Sequence, residues 1–156
     1  MKHKSLAILL ALIIGLVGIY GIEVNVNAEE LGQDIDFSYL STEDALVGYM
    51  QNQTWGVYLI EGYSIINKIS STTIGAGGIT GAAVRCKVSI ASIVERQTST
   101  GWARVTSWTQ TNENAFSAGI SKSLTVGTGY YYRVRSTHYA ESDVSSSWTG
   151  ALWMGN

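Results

Sequence analysis

Apolar and polar residues largely alternate over Ala82–Glu95, and this pattern constrains the fold more than any other feature of the chain. One phase of the alternation carries Val84, Cys86, Val88, Ile90, Ser92 and Val94, and the other carries Arg85, Lys87, Ser89, Ala91 and Glu95. Successive side chains of a β-strand point to opposite faces, whereas a helix would scatter these residues. The segment predicts a strand with one face in a core and one in water.

Composition extends this prediction to most of the chain. The 156 residues include 17 glycines, 9 tyrosines and 5 tryptophans but no proline. Turn signals recur from Trp55 onward at the spacing typical of layered β-proteins. We predict an all-β domain of about seven antiparallel strands, namely Trp55–Ile60, Tyr63–Ile69, Ala82–Glu95, Trp102–Thr109, Ala115–Val126, Tyr130–Tyr139 and Ser146–Met154. The glycine-rich run Gly75–Gly78 is interpreted as a turn or bulge.

The first 28 residues have the layout of a secretory signal peptide. Two lysines precede the apolar stretch Leu6–Ile22, and Val26-Asn27-Ala28 offers small residues at the −3 and −1 positions of a cleavage site. The alternative is an uncleaved membrane anchor, which three glycines in the apolar stretch disfavour. We therefore expect a signal peptide (1–28), an acidic leader (29–53) and one β-domain (54–156), with secretion of the mature chain. Ser41-Thr42-Glu43-Asp44 resembles a capping signal and predicts a short helix after it within the leader.

Charge and cysteine content exclude several classes of protein. Glu29–Asn156 contains eight basic and eleven acidic residues, a net charge of −3, which does not suit a nucleic-acid-binding protein. Cys86 is the only cysteine, so no intramolecular disulfide can form. Its position in the apolar phase of a strand predicts a small buried side chain rather than a nucleophile.

The segment Leu124–Ser136 resembles the E–F corner and F strand of fibronectin type III domains. It reads Leu-Thr-Val-Gly-Thr-Gly-Tyr-Tyr-Tyr-Arg-Val-Arg-Ser. The resemblance implies an immunoglobulin- or fibronectin III-like sandwich in which Tyr130 is the buried corner tyrosine, with Tyr132, Val134 and Ser136 facing the core. It also implies that this strand lies antiparallel beside Ala82–Glu95.

Taken whole, the mature chain resembles an uncharacterised family of small exported proteins of Gram-positive anaerobes. The resemblance includes Thr42-Glu43-Asp44, Gly56-Val57-Tyr58-Leu59 and Ile74-Gly75-Ala76-Gly77-Gly78. It implies a bacterial source and export, and it implies no activity.

Catalysis has little support in the sequence. His138 is the only histidine after the signal, and no Gly-x-Ser-x-Gly elbow accompanies it, although Asp143 and several serines lie nearby. The acidic residues form no assignable pair of the kind that glycosidases use. One histidine and one cysteine cannot complete a zinc site. We predict no catalytic residues, no metal and no cofactor.

A basic and aromatic face is the candidate binding site. If Tyr132 and Val134 face the core, the opposite phase of that strand faces outward, and the neighbouring strand adds two basic residues. The predicted ligand-binding residues are Arg85, Lys87, Tyr131, Arg133, Arg135 and Tyr139, with Tyr130, Tyr132, Val134 and Cys86 as structural residues. The alternative is an ordinary solvated sheet face.

The sequence thus predicts an exported, non-enzymatic binding module that recognises a cell-wall polymer or glycan. We expect no nucleic-acid partner, and contact with a membrane only through an uncleaved signal segment. A small secreted toxin or bacteriocin-like effector is the alternative.

Overall fold

The structure, a computed structural model, describes residues 40–50 and 56–155. The expected signal peptide, and the leader before residue 40, lie outside this range. The described residues are all-β, as predicted, and consist of β1 (Leu40–Ser41), β2 (Ala45–Tyr49), β3 (Leu59–Ser70), β4 (Thr73–Thr98), β5 (Gly101–Thr125), β6 (Tyr130–Ala140), β7 (Asp143–Trp148) and β8 (Ala151–Met154). None of them belongs to a helix long and apolar enough to cross a membrane.

A long hairpin of β4 and β5 organises the sheet. The two strands pair antiparallel along nearly their whole length, and the turn between them lies where the sequence predicted it. β3 pairs with the first part of β4, up to Ala82, whereas β6 pairs with the last part, from Val88 to Arg96. β2 continues the sheet beyond β3, and β7 and β8 continue it beyond β6. All these pairs are antiparallel, and the short β1 lies parallel to β8.

β4 bends sharply between Gly81 and Val88, where its pairing register with β5 shifts. The bend brings the Thr80 hydroxyl within 3.2 Å of the Ser89 carbonyl oxygen, although nine residues of straight strand would span about 30 Å. The continuous sheet therefore folds into two layers. The first layer contains β2, β3, the start of β4 and the end of β5. The second contains β6, β7, β8, the end of β4 and the start of β5.

The layers also meet at the edge opposite β5. Met50, just after β2, forms an antiparallel bridge with Ser147 of β7. Gly48 lies against the carbonyl oxygen of Trp148, where an added Cβ would collide with the backbone. The sheet thus nearly closes on itself. The expected sandwich layers are present, but β4 and β5 run through both of them.

Two apolar clusters and a polar row between them fill the space between the layers. The first cluster is built around Tyr132, Val134, Val94, Leu152 and Ile66, and the second around Val88, Ile90, Cys86, Ala118 and Ala140. Along β4 the buried positions run from Ile90 through Ser92 to Val94, so a serine separates the clusters. The predicted core phase of this strand is confirmed except at Val84, which is exposed beside the bend.

Two local predictions are wrong. The expected short helix in the leader is instead strand β2, because Ala45–Tyr49 pairs with β3 and buries Leu46 between exposed neighbours. The expected turn at Gly75–Gly78 is a buried part of β4. A Cβ at Gly77 would collide with the Ile120 carbonyl oxygen, and one at Gly78 with that of Tyr63. These glycines therefore allow adjacent backbones to approach closely.

Candidate functional site

β6 lies antiparallel beside β4, as the resemblance to fibronectin type III domains implied. This pairing nevertheless places the four basic residues of the predicted binding site in two separate groups. Arg133 lies opposite Glu95 and Arg135 opposite Ile93, towards the end of β4. Lys87 lies near the middle of β4, beside the bend, where its carbonyl oxygen accepts a hydrogen bond from the Glu141 amide. Ile93 lies six positions further along the strand, a distance of about 20 Å. The four basic residues therefore do not share one patch.

Arg133 is buried, contrary to the prediction that it faces water. Its side chain lies on the outer side of β6, but only 7% of the residue is exposed, and Glu95 beside it is 6% exposed. The Arg133 Nε donates to Glu95 Oε2 at 2.7 Å, and the Arg135 Nη2 donates to Glu95 Oε1 at 3.1 Å. The Trp102 ring covers the Arg133 guanidinium at 4.2 Å. One carboxylate thus holds two guanidiniums on this face.

Aromatic residues and a third arginine surround this ion pair. Arg104 of β5 lies opposite Glu95, so the two side chains share the outer side of the sheet. The Tyr131 and Trp153 rings contact each other with centroids 4.8 Å apart. We define the outer cluster as Glu95, Trp102, Arg104, Tyr131, Arg133, Arg135 and Trp153. Tyr139 lies on the same side of β6, further along the strand, and is 39% exposed.

Four members of the outer cluster are absent from the predicted ligand-binding set: Glu95, Trp102, Arg104 and Trp153. In the sequence, each tryptophan is equally compatible with a sugar-stacking surface residue and with a core residue. Trp102 and Arg104 share one phase of their strand, which is visible in the sequence. Their position beside Arg133 depends on the register of β5 against β4, and a shift between Val94 and Glu95 alters that register. Sequence spacing alone does not reveal such a shift.

The other two predicted basic residues form local pairs near the middle of β4, beside the bend. The Arg85 guanidinium lies over the Phe116 ring at 4.9 Å, and its Nη1 donates to the Asn114 carbonyl oxygen at 3.1 Å. Lys87 forms an ion pair with Glu113 at 3.2 Å, and both side chains are well exposed to water. An exposed pair of this kind contributes little to stability.

Tyr132, not Tyr130, is the buried tyrosine at the start of β6. Tyr132 is 2% exposed, and its hydroxyl donates to the Gly127 carbonyl oxygen at 3.0 Å, across the turn that precedes the strand. Tyr130 is 42% exposed and carries the Arg96 guanidinium over its ring at 4.5 Å. The predicted phase of the strand is correct at Tyr132, Val134 and Ser136, which are all buried. The expected burial of Tyr130 is wrong, because this residue lies where the two layers end.

A chain of hydrogen bonds crosses the buried polar row. Its members, in order, are Ser92, Ser136, Ser64, Ser147, His138 and Thr80. The five links measure between 2.7 and 2.9 Å, and every member is at most 1% exposed. Because the chain connects β3, β4, β6 and β7, it fixes the two layers in one register. It also supplies partners for hydroxyl groups that would be costly to bury alone.

His138 is the titratable group of this chain. Its Nε2 lies 2.7 Å from the Ser147 hydroxyl and its Nδ1 lies 2.8 Å from the Thr80 hydroxyl. Desolvation by burial lowers the pKa of His138 to about 4, so the ring is neutral at physiological pH. The Ser147–His138 contact resembles half of a catalytic triad, but neither atom is open to a substrate. Within the described residues, the second ring nitrogen bonds a hydroxyl and not the carboxylate that a triad requires.

Asp143 has a structural position away from His138. Its Oδ2 accepts hydrogen bonds from the Tyr58 amide at 2.6 Å and from the Leu59 amide at 3.0 Å. Bonds to the Leu59 and Tyr58 amides lower the pKa of Asp143. The carboxylate thus holds the start of β3 against the start of β7.

Cys86 occupies the buried position that its strand phase predicted. Desolvation raises the pKa of its thiol, and the Glu141 and Asp143 carboxylates add to this effect. A thiol with a raised pKa is a poor nucleophile. Among residues 40–50 and 56–155, no group of three or more histidine, cysteine, aspartate or glutamate side chains could hold a metal ion.

Comparison with known proteins gives one result. No curated protein matches the sequence. No solved structure matches it either. The model of the family of unknown function DUF6147 matches residues 27–151, which include nearly all the described strands. The chain therefore belongs to the DUF6147 family.

Proposed function

We propose that this protein is an exported, non-enzymatic module that binds an anionic or glycan polymer at the cell surface through the outer cluster. Export rests on residues 1–28, which have the charged, apolar and small-residue regions of a secretory signal. β6 lies antiparallel beside β4, the neighbour that the resemblance of Leu124–Ser136 to fibronectin type III domains implies, and this pairing supports a binding module of that general kind.

The observation that carries the proposal is the combination of guanidiniums and aromatic rings on one outer face. Arg104 extends from the edge strand β5 and is exposed to water. Arginine binds carboxylate and phosphate groups through paired hydrogen bonds, and aromatic rings pack against sugars. The ion pairs to Glu95 and the Trp102 ring fix Arg133 and Arg135 in position, so little side-chain entropy remains to be lost on binding.

The form of the surface favours a polymer. The outer side of β6 runs from Tyr131 to Tyr139, nine residues or about 27 Å of strand. A small molecule is usually enclosed by a concave pocket. An extended sheet face instead offers repeated contacts to a repeating ligand, and several weak contacts then add to a useful affinity.

The experiment measures retention of the purified protein on immobilised wall teichoic acid, a polymer of sugar and phosphate. Arg104→Ser should lower the affinity about ten-fold, the effect of losing one charge-assisted hydrogen bond. Arg104 is the suitable target because it is exposed, whereas Arg133→Ser would disturb a buried ion pair.

Two matched variants complete the experiment. Arg104→Lys keeps the charge and should retain part of the affinity. Arg85→Ser removes the same charge near the middle of β4, away from the outer cluster, and should retain all of the affinity. The melting temperature should be unchanged in each variant. Equal retention of wild type and Arg104→Ser would refute the proposed contact surface, and equal retention on neutral dextran would refute the preference for an anionic ligand.

A further inference from the structure

A separate cleft opens along β5, on the side opposite the outer cluster. β5 passes through both layers, and its two halves face one another where no other described strand closes the edge. The cleft between the halves has a volume of about 380 Å³. Its lining comes from Trp108, Thr109 and Gln110 on one wall and from Gly119, Ile120, Ser121 and Lys122 on the other. The volume lies within the range of small-molecule sites, about 300–1,000 Å³.

The pairing register directs four of these side chains into the space between the layers. Trp108 lies opposite Ser92, Gln110 opposite Ile90, Ile120 opposite Gly78, and Lys122 opposite Ala76. Directly paired residues in an antiparallel sheet point to the same side, and Ser92 and Ala76 are buried between the layers. Trp108 packs one part of its ring against the first apolar cluster and is half-buried. The same side chain also lines the cleft.

The lining combines an aromatic ring with one positive charge. Among residues 40–50 and 56–155, Lys122 is the only charged residue that lines the cleft, and no carboxylate does. Gln110 contributes an amide whose Nε2 donates to Asn112 Oδ1 at 2.8 Å, which orients the side chain at the mouth. Thr109 pairs with Ala91 and Ser121 with Gly77, so these two side chains point away from the space between the layers. An aromatic ring, one cation and a hydrogen-bonding amide are the features that recognise a sugar with an acidic substituent.

We propose that this cleft binds a single acidic sugar, a pyranose ring that carries a carboxylate or a phosphate. The apolar face of the sugar packs on the Trp108 indole, the acidic group pairs with the Lys122 ammonium, and the ring hydroxyls reach Gln110. This site is distinct from the outer cluster, and it stands whether or not the outer cluster binds a polymer.

The test follows the indole N–H signals of the tryptophans by two-dimensional NMR during titration with single sugars. Trp108→Phe identifies the Trp108 signal by its disappearance. The probes are glucuronate, which carries a carboxylate, glucose 6-phosphate, which carries a phosphate, and neutral glucose. The Trp108 signal should shift in a saturable manner with at least one acidic sugar, and the response to glucose should be at least ten-fold weaker.

Variants of Lys122 keep the proposal testable even if Trp108→Phe disturbs the core. Lys122→Gln should weaken binding of the acidic sugar about ten-fold, and Lys122→Arg should restore most of it. No shift with either acidic sugar would overturn the proposal. So would an equal response to glucose, or binding that Lys122→Gln leaves unchanged. A loss of polymer retention in the outer-cluster variants would not affect the result, so the two proposals fail separately.

Discussion

Tyr130 and Tyr132 lie two residues apart on β6 and have opposite environments. The Tyr132 ring is part of the first apolar cluster, and its hydroxyl has the backbone partner that a buried phenol requires. Tyr132→Ala should lower the free energy of unfolding by about 3–5 kcal/mol, as truncation of a buried aromatic does. Tyr132→Phe removes the hydroxyl, which donates to Gly127 and also interacts with the Arg96 side chain, and should cost about 1 kcal/mol.

Tyr130→Ala is the matched control for Tyr132→Ala. The half-exposed Tyr130 ring makes a cation–π contact with the Arg96 guanidinium. Removal of the ring should therefore lower the free energy of unfolding by less than about 1 kcal/mol. Urea denaturation of the three variants measures these differences. A larger loss at Tyr130 than at Tyr132 would show that the packing at the start of β6 is misassigned.

His138 should make the stability of the protein depend on pH. In the unfolded chain the histidine pKa is about 6.5, and in the folded protein burial lowers the pKa of His138 to about 4. Above pH 6.5 the ring is neutral in both states and its protonation has no effect. As the pH falls from 6.5 to 4 the unfolded state binds the proton first, so stability decreases by about 3 kcal/mol and then levels off.

Unfolding free energies measured between pH 8 and pH 4 test this expectation. His138→Gln removes the titrating group and keeps a polar side chain beside Ser147 and Thr80. The difference in stability between wild type and His138→Gln should shrink towards acid pH. A constant difference across the range would contradict a buried neutral imidazole.

At the scale of strands, the pairing of β4 with β6 depends on one buried carboxylate. Glu95→Gln removes the charge that bridges Arg133 and Arg135 and should destabilise the protein by about 3 kcal/mol. Glu113→Gln makes the same change in the exposed pair with Lys87 and should cost less than about 1 kcal/mol. Thermal denaturation of the two variants compares them directly, and equal losses would rule out a special role for the buried pair.

The sequence predicted the strands well where apolar and polar residues alternate. Ala82–Glu95 and Tyr130–Tyr139 are strands with the expected core phase, since burying one face of a sheet imposes a period of two. The glycine-rich run Gly75–Gly78 has no such alternation. Gly77 and Gly78 are needed because the backbone of a neighbouring strand lies too close for a side chain. Trp102–Thr109 and Ala115–Val126 appeared as separate strands, but their common pairing with β4 joins them into β5.

The candidate site was predictable only in part, because some of its contacts depend on how neighbouring strands pair. The outward phase of β6 follows from its own sequence, so Tyr131, Arg135 and Tyr139 lie on the expected side. The burial of Arg133 cannot be predicted from the sequence of β6 alone. It requires Glu95 of β4 and Trp102 of β5 to lie beside the same guanidinium. Contacts across three strands depend on register, and register here includes bulges that no local pattern marks.

At the scale of the whole domain, one bent hairpin gives the protein two separate surfaces of different chemistry. The outer side of the second layer presents the outer cluster, and the edge along β5 presents the cleft at Trp108. The buried hydrogen-bonded chain from Ser92 to Thr80 links the layers between these surfaces. A rigid β-domain with an extended face suits adhesion to a polymer, and the cleft suits a single unit or a chain end.

The most direct test of polymer recognition is an NMR titration of the protein with wall teichoic acid, observed at the indole N–H groups of Trp102, Trp108 and Trp153. Single Trp→Phe variants assign the three signals. Because Trp102 and Trp153 belong to the outer cluster and Trp108 to the cleft, the signals report the two surfaces separately. We predict that the Trp102 and Trp153 signals shift together as the polymer is added. Binding of the polymer with both of these signals unmoved would contradict the account.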